Sequence, residues 1–198
     1  MKDVHLMRLM NFANFLTIFR IILSPILCLF LLSKTPILNV LCLLTFLIAF
    51  FTDFLDGFFA RHRNKTTELG KFLDPVADKI LTFLTMICLV KINFLSIWVV
   101  IFLLIRDFLM AALRLILAQN HIVCSANIYG KVKTLIQFFA IFLIILLNFK
   151  ILNISENIHK ILLNFSSFSI WLSVVISILS FFVYIFENKS EIKKVLKN

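Results

Sequence analysis

Residues 52–79 read TDFLDGFFARHRNKTTELGKFLDPVADK, and they place four aspartates at the junction of two apolar segments. Asp53 and Asp56 lie three residues apart, and Asp74 and Asp78 lie four apart, so each pair falls on one face of a helix. The interval between the apolar segments is short, which predicts antiparallel neighbouring helices. Four carboxylates then converge at one end of a helix pair.

The composition around this stretch excludes a soluble globular domain and a disordered chain. The chain has 198 residues, 62% hydrophobic and 15% charged, with a mean hydropathy of +1.05, whereas soluble domains are about 45–50% apolar and about 25% charged. Small domains bury only about 60–70% of their unfolded surface. Lipid must therefore cover the remaining apolar side chains. The four cysteines form no Cys-x-x-Cys pair, so neither a zinc site nor a disulfide framework is indicated.

Six apolar runs are long enough to cross a bilayer, which takes about 17–25 residues. They cover roughly residues 15–33, 37–60, 75–92, 94–118, 132–149 and 166–186. Residues 2–14 are amphipathic, which predicts an interfacial helix ahead of the first span. The polar intervals are too short to fold alone, so the sequence predicts one all-α polytopic membrane domain over residues 1–198.

The net charge of +10 has a distribution typical of membrane topology rather than nucleic-acid binding, because the basic residues lie in the short gaps between apolar runs. If both termini share one side, that side holds twelve Lys and Arg and the other holds four. This asymmetry predicts cytoplasmic termini and a cytoplasmic acidic stretch. The remaining basic residues are costly in hydrocarbon and should face a polar cavity or the interface: Arg20, Lys79, Arg106 and Arg114.

The clustered acids themselves indicate a bound cation. Adjacent carboxylates repel, and at low dielectric some would protonate unless a cation intervened. Hard divalent ions such as Mg²⁺ or Mn²⁺ take carboxylate oxygens and bridge them to phosphates. A structural interpretation stays open, in which Arg61 and Arg63 pair with the first two aspartates and Asp74 caps a helix that begins at Pro75.

The spacing in this stretch is Asp53-x₂-Asp56-Gly57-x₂-Ala60-Arg61-x₈-Gly70-x₃-Asp74-x₃-Asp78. It resembles the signature of the CDP-alcohol phosphotransferase family at every defined position. The resemblance implies a six-helix membrane enzyme, usually a homodimer, that cleaves a CDP-linked lipid or alcohol with one or two Mg²⁺ or Mn²⁺ ions and releases CMP. All four aspartates would bind metal, with Asp78 also the general base. The implied nucleotide contacts are Asn14, Thr17, Gly57, Ala60, Arg61 and Gly70.

The segments that flank this signature resemble one group of enzymes within the family. Residues 11–20, NFANFLTIFR, are similar to the Asn-x-Pro-Asn-x-Leu-Thr-x-x-Arg stretch of phosphatidylglycerophosphate synthases, with Ala13 in place of proline. Segments 72–79, 106–114 and 130–137 also resemble these enzymes, with Asp107 where Glu is usual. The resemblance implies CDP-diacylglycerol and sn-glycerol 3-phosphate as substrates, in the inner membrane of a bacterium.

An acceptor that carries its own phosphate requires a cationic pocket. The candidates are Arg106, Arg114, Lys131 and Lys133, of which the two arginines lie about two helical turns apart on the fourth span. Three alternatives stay open: a family member with another acceptor (inositol phosphate, serine or phosphatidylglycerol), a cation transporter, and a non-catalytic scaffold. The aspartates cluster at one membrane face rather than at the midplane, which disfavours the transporter.

Overall fold

The structure is a computed structural model that describes residues 12–33, 35–63, 68–120, 128–148 and 155–195. Side chains are described for residues 15–33, 35–52, 73, 76–120, 130, 132–147 and 155–192. Within these ranges the structure is almost entirely helical and contains no strand. The helices are α1 (Phe12–Leu32), α2 (Pro36–Arg63), α3 (Glu68–Lys91), α4 (Ile97–Gln119), α5 (Ile128–Asn148), α6 (Glu156–Glu187) and α7 (Lys189–Val195).

The chain divides into two compact units, Met1–Phe94 and Leu95–Asn198. In the first unit, α1 packs against both α2 and α3. The buried face of α1 repeats every three or four residues, as expected for one side of a helix. It is polar in its first half and apolar in its second, and comprises Thr17, Arg20, Ser24, Leu27 and Leu31.

In the second unit, α6 is the central element, because it packs against α4, α5 and α7. Its buried face is a row of small hydroxyl residues, Ser166, Ser169, Ser173, Ser177 and Ser180, followed by Tyr184. Such small side chains allow close approach of neighbouring helices. Several of these hydroxyls donate to a carbonyl of their own helix, as Ser173 does to Ile170 at 2.7 Å. These serines are therefore buried without losing a hydrogen-bond partner.

The outward face of α6 is apolar, which inverts the pattern of a helix in a soluble protein. It carries large exposed side chains: Phe165, Phe168, Trp171, Val175, Leu179, Phe182 and Phe186. Among the described residues, two helices are long and apolar enough to cross a membrane, over Phe15–Leu32 and Glu156–Glu187. Two shorter apolar helical stretches cover Pro36–Thr52 and Val132–Leu147.

The six predicted apolar runs correspond to α1 through α6, although two helices begin earlier than predicted and α4 begins at Ile97, three residues after the predicted start of its run. α3 begins at Glu68 and α6 at Glu156, whereas apolar content alone predicts starts near 75 and 166. Polar first turns account for both differences, because hydropathy marks the apolar part of a helix and not its ends. The predicted N-cap role of Asp74 is therefore wrong, since Asp74 and Pro75 lie within α3. The predicted interfacial helix at residues 2–14 lies largely outside the described residues.

Candidate functional site

The four signature aspartates lie on consecutive helices of the first unit. Asp53 and Asp56 belong to α2, and Asp74 and Asp78 belong to α3, with helical backbone through both pairs. The predicted spacing of about one turn within each pair is therefore confirmed. Asp78 is half-buried, and its backbone carbonyl accepts a 2.9 Å hydrogen bond from Thr82 Oγ1. The other three side chains lie outside the described residues, so convergence of the four carboxylates stays a prediction.

The donor set of this stretch fits a divalent ion in its chemistry. Four carboxylates supply the hard oxygen ligands that Mg²⁺ and Mn²⁺ prefer, and their one-turn spacings suit two ligands from each helix. No group of three or more metal-binding side chains occurs among the residues whose side chains are described. That range contains Asp78 and excludes the other three aspartates, so the ion site remains an expectation from the residue types.

Of the predicted nucleotide contacts, only Thr17 has a described side chain. It is fully buried on the polar half of the α1 face, one turn before Arg20, which is also fully buried. Ser24 continues this face and donates a 2.8 Å hydrogen bond to the Arg20 carbonyl. The remaining five predicted contacts have no described side chains; they lie in α1 (Asn14), α2 (Gly57, Ala60, Arg61) and α3 (Gly70). Thr17 thus lies on a buried polar face of α1, a helix that packs against the two helices that carry the aspartates.

The second unit contains a buried ionic cluster on α4 and α5. Lys133 Nζ lies 3.0 Å from Asp107 Oδ1 and 3.2 Å from Oδ2, so the ammonium contacts both carboxylate oxygens. Arg106 Nη1 lies 3.0 Å from the same Asp107 Oδ1. Two cations from different helices therefore share one carboxylate oxygen. The side chain of Lys133 is 3% exposed, compared with 11% for Arg106 and 15% for Asp107.

Arg106 also connects this cluster to α6. Its Nε donates to the Ser177 carbonyl at 3.0 Å, and its Nη2 donates to Ser180 Oγ at 2.9 Å. The planar guanidinium is well suited to several directed bonds of this kind. The sequence predicts that Arg106, a cation within an apolar helix, faces a polar environment, and the structure shows it bonded to polar groups of α6.

Arg114 lies two turns further along α4 and faces α6 as well. Its guanidinium carbon is 5.7 Å from the centroid of the Tyr184 ring, within the range of a cation–π interaction. The ring packs with Met110 and Leu117 in a small apolar cluster. Arg106 and Arg114 therefore point to the same side of α4, as their spacing predicts, although Arg114 is exposed and Arg106 is largely buried.

Of the four predicted acceptor cations, the structure brings Arg106 and Lys133 together and places Arg114 two turns beyond Arg106 on α4. Lys131 lies in α5, and its side chain is outside the described residues. Sequence reasoning noted Asp107 only as a departure from a family pattern and did not identify Ser177 or Ser180. The usable signal for Asp107 was a carboxylate within an apolar run, which needs a cationic partner.

Comparison with known proteins identifies the family of the chain. The model of the CDP-alcohol phosphatidyltransferase family matches residues 10–186, and the chain belongs to this family. Among curated relatives, a protein of Bacillus subtilis is 32% identical over 195 residues, which is 92% of this chain and 97% of that protein. A protein of Aquifex aeolicus is 37% identical over 158 residues (78% and 84%). One of Rickettsia bellii is 37% identical over 136 residues (69% and 75%). All three are named CDP-diacylglycerol–glycerol-3-phosphate 3-phosphatidyltransferase.

Proposed function

We propose that the protein transfers the phosphatidyl group of CDP-diacylglycerol to sn-glycerol 3-phosphate, forming phosphatidylglycerol phosphate and CMP. The observation that carries this proposal is the match to a relative of that name over nearly the whole of both chains. The intact signature on α2 and α3 supports the same conclusion. Glycerol 3-phosphate is favoured over inositol phosphate, serine or phosphatidylglycerol as the acceptor, because the names of all three relatives include glycerol 3-phosphate.

In this reaction a hydroxyl oxygen of glycerol 3-phosphate attacks the lipid-linked phosphorus of CDP-diacylglycerol. A new phosphorus–oxygen bond forms, the bond to CMP breaks, and the hydroxyl proton is transferred to a base. We assign Asp78 as that base, as the family resemblance implies, because a carboxylate within hydrogen-bond reach of a hydroxyl can accept its proton. CMP leaves with the electron pair of the broken bond.

Asp53, Asp56, Asp74 and Asp78 are the residues proposed to hold one or two Mg²⁺ or Mn²⁺ ions. Such ions neutralise negative charge on the pyrophosphate oxygens of a bound nucleotide. Nucleotide binding is assigned to Thr17 and the five other predicted residues of the first unit. In the second unit, Arg106, Arg114, Lys131 and Lys133 are assigned to the acceptor phosphate, because guanidinium and ammonium groups form charge-assisted hydrogen bonds with phosphate oxygens.

The apolar outward face and buried serine row of α6 support an integral membrane protein. We propose six membrane-spanning helices, with termini and active site on the cytoplasmic side of a bacterial inner membrane and an interfacial helix at residues 2–14. The distribution of Lys and Arg supports this orientation. A homodimer is proposed from the family resemblance, and the mass of the purified protein in detergent, measured by light scattering, tests it.

The decisive assay measures CMP release by the purified protein with CDP-diacylglycerol and each of four acceptors in turn: glycerol 3-phosphate, inositol phosphate, serine and phosphatidylglycerol. Release with glycerol 3-phosphate alone supports the proposal, and release with another acceptor in its place contradicts it. Asp78→Asn is expected to lower turnover by about 10²–10⁴-fold while CDP-diacylglycerol still binds. Glu156→Gln, an acid-to-amide change at the exposed start of α6, is the matched control.

A further inference from the structure

The ionic cluster of the second unit has a carboxylate at its centre that the proposed reaction does not use. We propose that Asp107 is a positioning residue for acceptor binding: its carboxylate holds the Lys133 ammonium and the Arg106 guanidinium where they bind the phosphate of glycerol 3-phosphate. This inference rests on the proposed function and deepens it by adding a residue that acts through two others.

The contact between Asp107 and Lys133 restricts a flexible cation. A lysine side chain has several rotatable bonds and a compact charge that any nearby anion attracts. Here the ammonium contacts both oxygens of one carboxylate, at 3.0 and 3.2 Å, and the side chain is almost fully buried. The pair joins α4 to α5 across 26 residues of sequence. Lys133 is therefore held at one place on the buried face of α5.

Asp107 restrains Arg106 through the same oxygen. The 3.0 Å contact from Arg106 Nη1 brings the guanidinium alongside the Lys133 ammonium, and the bonds to Ser177 and Ser180 fix its plane against α6. Two like charges would otherwise separate, because cations at low dielectric repel strongly. The shared carboxylate allows both to stay close together, as a phosphate with several oxygens requires.

The negative charge of Asp107 and its positioning of the two cations affect acceptor binding in opposite directions. Two cations and one anion leave the cluster with a net positive charge, which favours an incoming phosphate. The carboxylate taken alone repels that phosphate. Neutralising Asp107 therefore separates the two effects: loss of positioning weakens acceptor binding, whereas simple loss of a negative charge strengthens it. A role limited to joining helices changes stability and leaves the KM for glycerol 3-phosphate unaltered.

The test compares wild type with Asp107→Asn, Asp107→Glu, Lys133→Gln and the double variant Asp107→Asn/Lys133→Gln. Steady-state kcat and KM are measured for both substrates, together with the thermal unfolding transition in detergent. Asp107→Asn is expected to raise the KM for glycerol 3-phosphate about tenfold, with the KM for CDP-diacylglycerol within about twofold of wild type. Asp107→Glu restores the KM to within about threefold, since it keeps the charge pair.

The double variant tests whether Asp107 acts through Lys133. If it does, adding Asp107→Asn to Lys133→Gln raises the KM for glycerol 3-phosphate by less than the roughly tenfold expected for Asp107→Asn alone, because only the restraint on Arg106 is still to be lost. The double variant also covers the case in which Asp107→Asn alone fails to fold, since it leaves no lysine without its carboxylate. Glu187→Gln, at the exposed end of α6, is the control for removing an acid in this unit.

Three results overturn the inference: an unchanged or lower KM for glycerol 3-phosphate in Asp107→Asn, an Asp107→Glu variant as impaired as Asp107→Asn, and a full additional effect in the double variant. Failure of the proposed function has a different signature. It appears in the wild type itself, as absence of CMP release that depends on glycerol 3-phosphate, and it overturns both proposals.

Discussion

The guanidinium of Arg106 in α4 donates a 2.9 Å hydrogen bond from Nη2 to the hydroxyl of Ser180 in α6. Ser180 thereby differs from Ser173 on the same buried face, whose hydroxyl donates to its own helix at Ile170. One serine of the row orients a cation on a neighbouring helix, whereas the other contributes only its small size. We therefore expect the change to alanine to have different consequences at the two serines.

Ser180→Ala is expected to lower stability by about 1.5–3 kcal/mol, the range for a hydrogen bond to a charged group. We also expect a rise of a few-fold in the KM for glycerol 3-phosphate, because Arg106 loses one of the bonds that orient it. Thermal unfolding in detergent and steady-state kinetics measure the two effects. Ser173→Ala is the control, with little change in either quantity. Equal behaviour of the two variants would contradict a specific role for Ser180.

The close packing of α6 predicts that larger side chains on its buried face are not tolerated. Ser173 is fully buried, so Ser173→Leu places additional carbon atoms in an interface without space for them. Overpacking of this kind costs about 1–3 kcal/mol or more. Val175→Leu enlarges an outward-facing residue that is 51% exposed, and it is expected to leave the unfolding temperature nearly unchanged. A similar loss in both variants would show that this face is not the packed one.

A variant of Arg114 distinguishes a role in acceptor binding from a purely structural role. Because Arg114 is exposed, its cation–π contact with the buried ring of Tyr184 is expected to stabilise by about 0.5–1 kcal/mol, so loss of the contact affects the unfolding temperature only slightly. If Arg114 binds the acceptor phosphate, Arg114→Met raises the KM for glycerol 3-phosphate about tenfold, as expected for a lost charge-assisted hydrogen bond. Lys160→Met, at an exposed position of α6, is the matched control. An unchanged KM would remove Arg114 from the proposed pocket.

Metal removal tests the assignment of the four aspartates. CMP release is expected to fall to background in EDTA and to return when Mg²⁺ or Mn²⁺ is added in excess, because the carboxylates need a cation to bind a pyrophosphate. Asp53→Asn is expected to raise the concentration of ion needed for half-maximal activity. Activity that persists after exhaustive chelation would contradict a metal-dependent reaction.

The turn after α3 provides a test of backbone strain. Asn93 has φ of 62°, the left-handed conformation, and its backbone N–H donates to Val90 O at 3.0 Å. Asparagine tolerates this conformation, whereas a β-branched residue does not. Asn93→Val is expected to cost about 1–2 kcal/mol of stability, measured by thermal unfolding. Asn93→Gly should be neutral, and equal losses in both would indicate a role for the asparagine side chain.

The helices follow directly from local sequence. Each apolar run forms a helix over most of its described length, because a continuous apolar stretch satisfies its backbone hydrogen bonds internally when it forms a helix. The signature aspartates likewise required only spacing and residue type for a prediction of metal chemistry. Helix ends were less predictable: α3 begins at Glu68, since the polar residues of its first turns have no hydropathy signal.

Tertiary structure decided which charges meet. Asp107 and Lys133 are 26 residues apart. No local sequence pattern specifies that α5 directs its lysine toward α4. The serine row of α6 is another example, since hydropathy alone marks α6 as an apolar span while packing selects its serines as the buried side. Length and apolarity determine that a segment is a helix, but the face that a helix buries depends on contacts between segments distant in sequence.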